Sequence, residues 1–114
     1  MTFDERQFLM TAAWMFMRHG QRSRALAVCE ALLEDEPRAG VVAVALSGLL
    51  LDEGEAARAL EVLRGADVPP ALAHAEAVLE TRALRALGRD GEASARWTRY
   101  LESRKGSGRT WLAG

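Results

Sequence analysis

Three glycines recur along this chain at one spacing. Gly20, Gly54 and Gly88 lie 34 residues apart, and each is followed by alanine after four intervening residues. The segments read Gly20-x4-Ala25-Leu26, Gly54-x4-Ala59-Leu60 and Gly88-x4-Ala93-Ser94. A fixed period of this length implies one supersecondary unit used repeatedly, with neighbours covering each other's apolar faces. The residue types suit a pair of helices: glycine permits the turn between them, and a small alanine in the second lets two backbones approach closely.

The spacing of 34 residues, with glycine ahead of Ala-Leu, resembles the tetratricopeptide repeat, a stack of helix–turn–helix units. Pro37, 17 residues after Gly20, stands where that repeat usually carries proline. Ala, Leu, Arg and Glu dominate, which favours helix. The expected fold is all-α: three tandem units in a short right-handed superhelical stack with a concave apolar groove. The units cover about residues 6–39, 40–73 and 74–105, and residues 106–114 form a short C-terminal tail. The helices are predicted at about Asp4–His19, Arg22–Asp35, Ala39–Asp52, Glu55–Arg64, Ala71–Leu87 and Asp90–Arg104. Asp4 suits a helix start, Pro70 suits a first turn, and Gly106, Ser107 and Gly108 are expected to end the last helix.

The stretch from Ala39 to Leu51 has no charge and one hydroxyl. It is too short to cross a bilayer, which takes about 20 apolar residues, and it has no polar stripe. As a helix it must be covered on both faces. The expected core comprises Leu9, Ala12, Ala13, Phe16, Ala43, Leu46, Ser47, Leu50, Ala77, Thr81 and Leu84 from the first helices. The second helices add Leu26, Cys29, Leu33, Leu60, Leu63, Trp97 and Leu101. Glu80 falls near this face without an evident partner.

In a tetratricopeptide stack the other face of the first helices forms the inner wall. Here it would carry Met10, Trp14 and Met17, then Val41, Val44, Gly48 and Leu51, then Ala75, Val78, Arg82 and Arg85, each set on one stripe, and all but Ala75 are the ten candidate groove residues. An apolar wall with methionines and a tryptophan suits the apolar face of an amphipathic helix. Gly48 leaves room for a partner backbone, and the arginines suit acidic side chains or the negative end of a helix dipole. The rival reading packs Met10, Trp14 and Met17 inside the chain, or folds Trp111 and Leu112 over the last helix.

Other chemistry is thinly supported. The 15 basic and 16 acidic residues give a net charge of -1, with no overall field for nucleic acid or an anionic membrane. Cys29, the one cysteine, excludes an internal disulfide, suits a reducing compartment and reads as core. His19 and His74 stand alone, without a second ligand at metal spacing. No nucleophile triad, phosphate loop or carboxylate pair stands out, so no enzyme and no cofactor are expected. Arg18, Arg22 and Arg24 read as ordinary surface. The start, Met-Thr-Phe-Asp-Glu-Arg, does not resemble a signal peptide, and the expected location is the cytoplasm.

From about Phe8 to Leu101 the chain resembles the larger, tetratricopeptide subunit of the bacterial type III secretion needle chaperone. The resemblance rests on length, the three Gly-x4-Ala units, the apolar helix Val41 to Leu51 and the apolar inner wall. It implies a protein-binding chaperone that holds the amphipathic helix of a polymerisation-prone needle subunit and keeps it monomeric before export. It also implies a small helical co-chaperone, with Phe3 and Phe8 as candidate contacts, and a heterotrimer. The alternative is a generic adaptor or scaffold that homodimerises or binds another helical partner, including a translocator-type secretion chaperone. The translocator chaperones are usually longer, and adaptors for peptide carboxylates need a polar inner wall.

Overall fold

The computed structural model describes the backbone of residues 1–113 and the side chains of residues 1–106. The described residues form six α-helices and no strand: α1 (Phe3–Arg18), α2 (Arg22–Asp35), α3 (Gly40–Asp52), α4 (Ala56–Arg64), α5 (Ala73–Ala86) and α6 (Asp90–Ala113). Each helix packs against the next in sequence, and α3 also touches α5. The molecule is a slab 43 × 38 × 25 Å. Its short dimension matches two layers of helices packed at about 8–10 Å.

The three glycine turns are alike in atomic detail. Gly20, Gly54 and Gly88 have φ of 71°, 79° and 75°, a left-handed conformation that costs other L-residues about 1–2 kcal/mol. Each glycine N–H donates to the carbonyl three residues back, on Met17, Leu51 and Arg85. The next N–H donates to the carbonyl five back: Gln21 to Phe16, Glu55 to Leu50 and Arg89 to Leu84, each at 2.8 Å. This pair of bonds satisfies the orphan carbonyls of the finished helix and reverses the chain. The alanines that follow, Ala25, Ala59 and Ala93, are fully buried, each where the second helix meets the first.

The core lies in two clusters. One gathers Ala13 from α1, Ala25, Cys29 and Leu32 from α2, Val42, Leu46, Leu49 and Leu50 from α3, and Ala59 from α4. The other gathers Leu60, Ala83, Leu84 and Ala93, and Leu51 packs against both. The apolar helix α3 is the central element. Ser47 resolves its one hydroxyl by donating to the Ala43 carbonyl at 2.7 Å. Full burial of each leucine contributes roughly 1.5–3 kcal/mol.

Several expectations are corrected. Thr2, not Asp4, caps α1, its hydroxyl accepting from the Glu5 N–H at 3.1 Å, because a hydroxyl one residue outside the helix reaches an orphan N–H. Pro70 opens a 3-10 turn, Pro70–Leu72, and α5 begins after it at Ala73. Leu32 takes the buried place expected of Leu33, which is only partly covered. Leu101 is exposed, since no further helix packs beyond α6 among the described residues. α6 runs on through Gly106 to Ala113, so the helix does not stop where the glycines predicted a tail. Glycine weakens a helix interior by about 1 kcal/mol without ending it. Trp111 and Leu112, proposed to fold back, lie outside the residues whose side chains are described.

The two loops that join successive helix pairs are clasped together. The Asp67 N–H donates to the Arg38 carbonyl at 2.9 Å, and the Arg38 guanidinium donates twice to the Asp67 carboxylate, at 2.9 and 2.6 Å. Those hydrogen bonds hold the exposed Asp67 carboxyl below its ordinary range. The approach depends on Gly40. A Cβ there would lie 2.7 Å from the Val68 Cα and closer still to the Asp67 carbonyl oxygen. Gly40→Ala is therefore expected to destabilise the fold by roughly 1–3 kcal/mol, the scale of overpacking. Urea unfolding followed by circular dichroism measures this, and an unchanged midpoint would show that the loops separate freely.

Candidate functional site

Residues from α1, α3 and α5 meet at one depression of about 360 Å³. Its apolar floor is Met17 from the last turn of α1 with Val44, Ala45, Gly48 and Leu49 from α3. Arg22 from the start of α2 and Arg82 from α5 line it as well, and Asp52 is its single acid. A smaller notch of about 210 Å³, lined by Val78, Thr81, Arg82, Arg85 and Trp97, shares Arg82 with it. The two adjoin at Arg82 and together draw on α1, α2, α3, α5 and the first half of α6.

Of the ten wall residues picked from sequence, six line this surface: Met17, Val44, Gly48, Val78, Arg82 and Arg85. None of the ten is fully buried. Met10 and Leu51 are half-buried against the core, as Met17 also is. Trp14 and Val41 are about half exposed, and the Arg18 guanidinium lies 4.7 Å over the Trp14 ring, a cation–π contact. Arg22, read from sequence as ordinary surface, was missed. The turn at Gly20 carries it to the mouth of the depression, a placement that needs the tertiary fold.

Gly48 is half-buried at the centre. A Cβ there would meet only the Leu79 Cδ2, at 3.9 Å. The fold does not require a glycine at this position, so its smallness serves the open surface. Gly48→Ala is expected to raise stability by about 0.5–1 kcal/mol through helix propensity, measured by the same urea titration. A loss of stability would mean that hidden packing constrains this site.

The Phe3 and Phe8 side chains are each 73 % exposed. With Trp14 and Met15, also exposed, they leave α1 rich in uncovered large apolar groups, and such patches commonly mark interfaces. His19 is exposed, and His74 faces Tyr100, its Nδ1 3.2 Å from the hydroxyl. Among the described residues no His, Cys, Asp and Glu group could hold a metal ion. Cys29 is buried, and burial followed by the Glu30 charge pushes its thiol up, which disfavours the reactive thiolate. Among the described residues no helix is long and apolar enough to cross a membrane.

Glu80 finds its partners behind the notch. The Arg96 Nε donates to its carboxylate at 2.9 Å, and the Arg64 Nε lies 3.5 Å away. One buried carboxylate thus ties α4, α5 and α6 together. Arg96 also reaches Glu76 at 3.5 Å, but burial outweighs that attraction and holds the Glu76 carboxyl above its ordinary 4.5, with Glu80 adding to the rise. An acid whose folded pKa is raised binds its proton more tightly in the native state. Its effect is a loss of stability that develops as pH rises from 4.5 through the folded value. Glu76→Gln is expected to melt above the wild type at pH 7 to 8, with the gap closing as pH falls towards 4.5. A gap independent of pH would exclude this linkage.

Comparison with protein-family models and with curated proteins finds no match for the chain.

Proposed function

We propose that this chain is a three-unit tetratricopeptide protein that acts as a cytoplasmic export chaperone, similar to the larger subunit of the type III secretion needle chaperone. Its groove holds an amphipathic helix of a polymerisation-prone subunit and keeps that subunit monomeric before export. The observation that carries the reading is the pair of adjoining open depressions, where Met17, Val44, Gly48 and Val78 occur with Arg22, Arg82 and Arg85. A helix laid there would bury its apolar stripe on α3 and set its polar flanks against the arginines. The chemistry is burial without catalysis. A specific complex of this kind needs about 1,000 Å² or more of buried surface, so the helix must extend past the depression towards Trp14 and Val41.

Phe3 and Phe8 supply the contact for a small helical co-chaperone, and the pair with the needle subunit makes a heterotrimer. The exposed aromatics of α1 also favour a second reading, an adaptor that homodimerises through that helix. Solution mass separates the two. The protein is purified alone and after co-expression with the small open reading frames beside its gene. A defined heteromer with a small helical protein supports the chaperone, and a stable homodimer that ignores its neighbours supports the adaptor. A clean monomer under both conditions refutes both. In the heteromer, Trp14→Glu or Val44→Glu is expected to weaken the complex at least tenfold while leaving the far-ultraviolet circular dichroism unchanged, because neither side chain is fully buried. Undiminished binding by both variants would place the partner elsewhere.

A further inference from the structure

The notch between α5 and α6 is about 210 Å³, the size of one side chain rather than of a helix. Thr81, on its wall, is 7 % exposed, and its hydroxyl oxygen is buried without a hydrogen-bond partner. A helical threonine ordinarily turns its hydroxyl onto the carbonyl one turn back, and buried polar groups seldom go unpaired. Arg82 and Arg85 line the same notch. Arg82 reaches an acid only at 4.0 Å, to Asp52, and Arg85 has no ion pair among the described residues. Val78 and Trp97 complete the wall with apolar surface. An unsatisfied hydroxyl, two under-used cations and an aromatic residue line one small cavity, a set whose chemistry suits an acidic side chain with an apolar stem.

We infer that the notch takes a glutamate of the docked helix, placed one turn from the apolar residue that enters the larger depression. The inference rests on the groove reading above and specifies its partner. The glutamate methylenes lie against Val78 and Trp97, its carboxylate accepts from Arg82 and Arg85, and the Thr81 hydroxyl, buried in the described rotamer, turns about χ1 to donate to it from the wall. Charge-assisted bonds of this kind are among the stronger ones available. The larger depression has the same sign, with Arg22 and Arg82 against the lone Asp52. The occupant is therefore an acidic amphipathic helix, whatever the overall charge of its protein.

The test is a selection against the purified full-length chain from a display library of 18-residue amphipathic helical peptides, fused at their C-termini and randomised beside the apolar stripe. Enriched sequences are expected to carry Glu one turn from an anchoring apolar residue. The corresponding amidated synthetic peptide should lose at least tenfold in affinity on changing that Glu to Gln. Its Glu→Lys form should bind Arg85→Glu better than it binds the wild type, a rescue that lost packing cannot imitate. Thr81→Val, close in shape, should weaken binding severalfold, and circular dichroism checks the fold of each variant. Peptides that depend on Val44 but show no acidic preference would overturn the notch and leave the groove reading standing. Binding that requires a free terminal carboxylate would also overturn it. If no helical peptide is enriched, both readings fall.

Discussion

The fold depends on how closely two helices approach just after each left-handed glycine. Gly20, Gly54 and Gly88 close their helices with the same two hydrogen bonds. The chain then re-enters a helix that carries a fully buried alanine in its first turns. A larger side chain at Ala25, Ala59 or Ala93 would force the pair apart and strip contacts from the leucines around it, because protein interiors tolerate little extra volume. The repetition matters as much as the single turn, since the same turn geometry is used three times.

Between the pairs the joining differs. The first two loops are clasped by Arg38 and Asp67 through the gap that Gly40 leaves. The last three helices share the Glu80 carboxylate, held by Arg96 from α6 and approached by Arg64 from α4. A buried carboxylate is tolerated only with such partners. Further ion pairs extend the pattern: Arg6 joins α1 to Asp35 at the end of α2, and Arg58 of α4 pairs with Glu30 of α2. Exposed pairs contribute little each, so their main effect is on register.

The candidate site follows from what this packing leaves uncovered. α3 is apolar around its whole circumference, and α2, α4 and α5 cover most of it. The strip through Val44 and Gly48 stays open between α1 and α5. Arginines from α2 and α5 gather at that strip although the chain as a whole is nearly neutral. Local basic character thus lies beside apolar surface, which the overall charge balance could not indicate.

The sequence alone determined the helical class, the places of the turns and the inward alanines, because these follow from backbone conformation and local spacing. A left-handed turn needs glycine and a close helix contact needs a small residue, whatever surrounds them. Six of the ten wall residues were legible for the same reason, as spacings of three, four and seven place them on one face. The tertiary structure alone decided the rest. Glu80, a misfit when read along its own helix, acquires meaning from Arg96, sixteen residues away in sequence. Arg22 joins the depression only because the Gly20 turn brings α2 beside α3. Leu101 stays exposed because no further helix packs on it among the described residues, and α6 continues past Gly106 because glycine weakens a helix without stopping it. Partnership between distant charges and the covering of one helix by another depend on three-dimensional proximity, which local residue spacing does not encode.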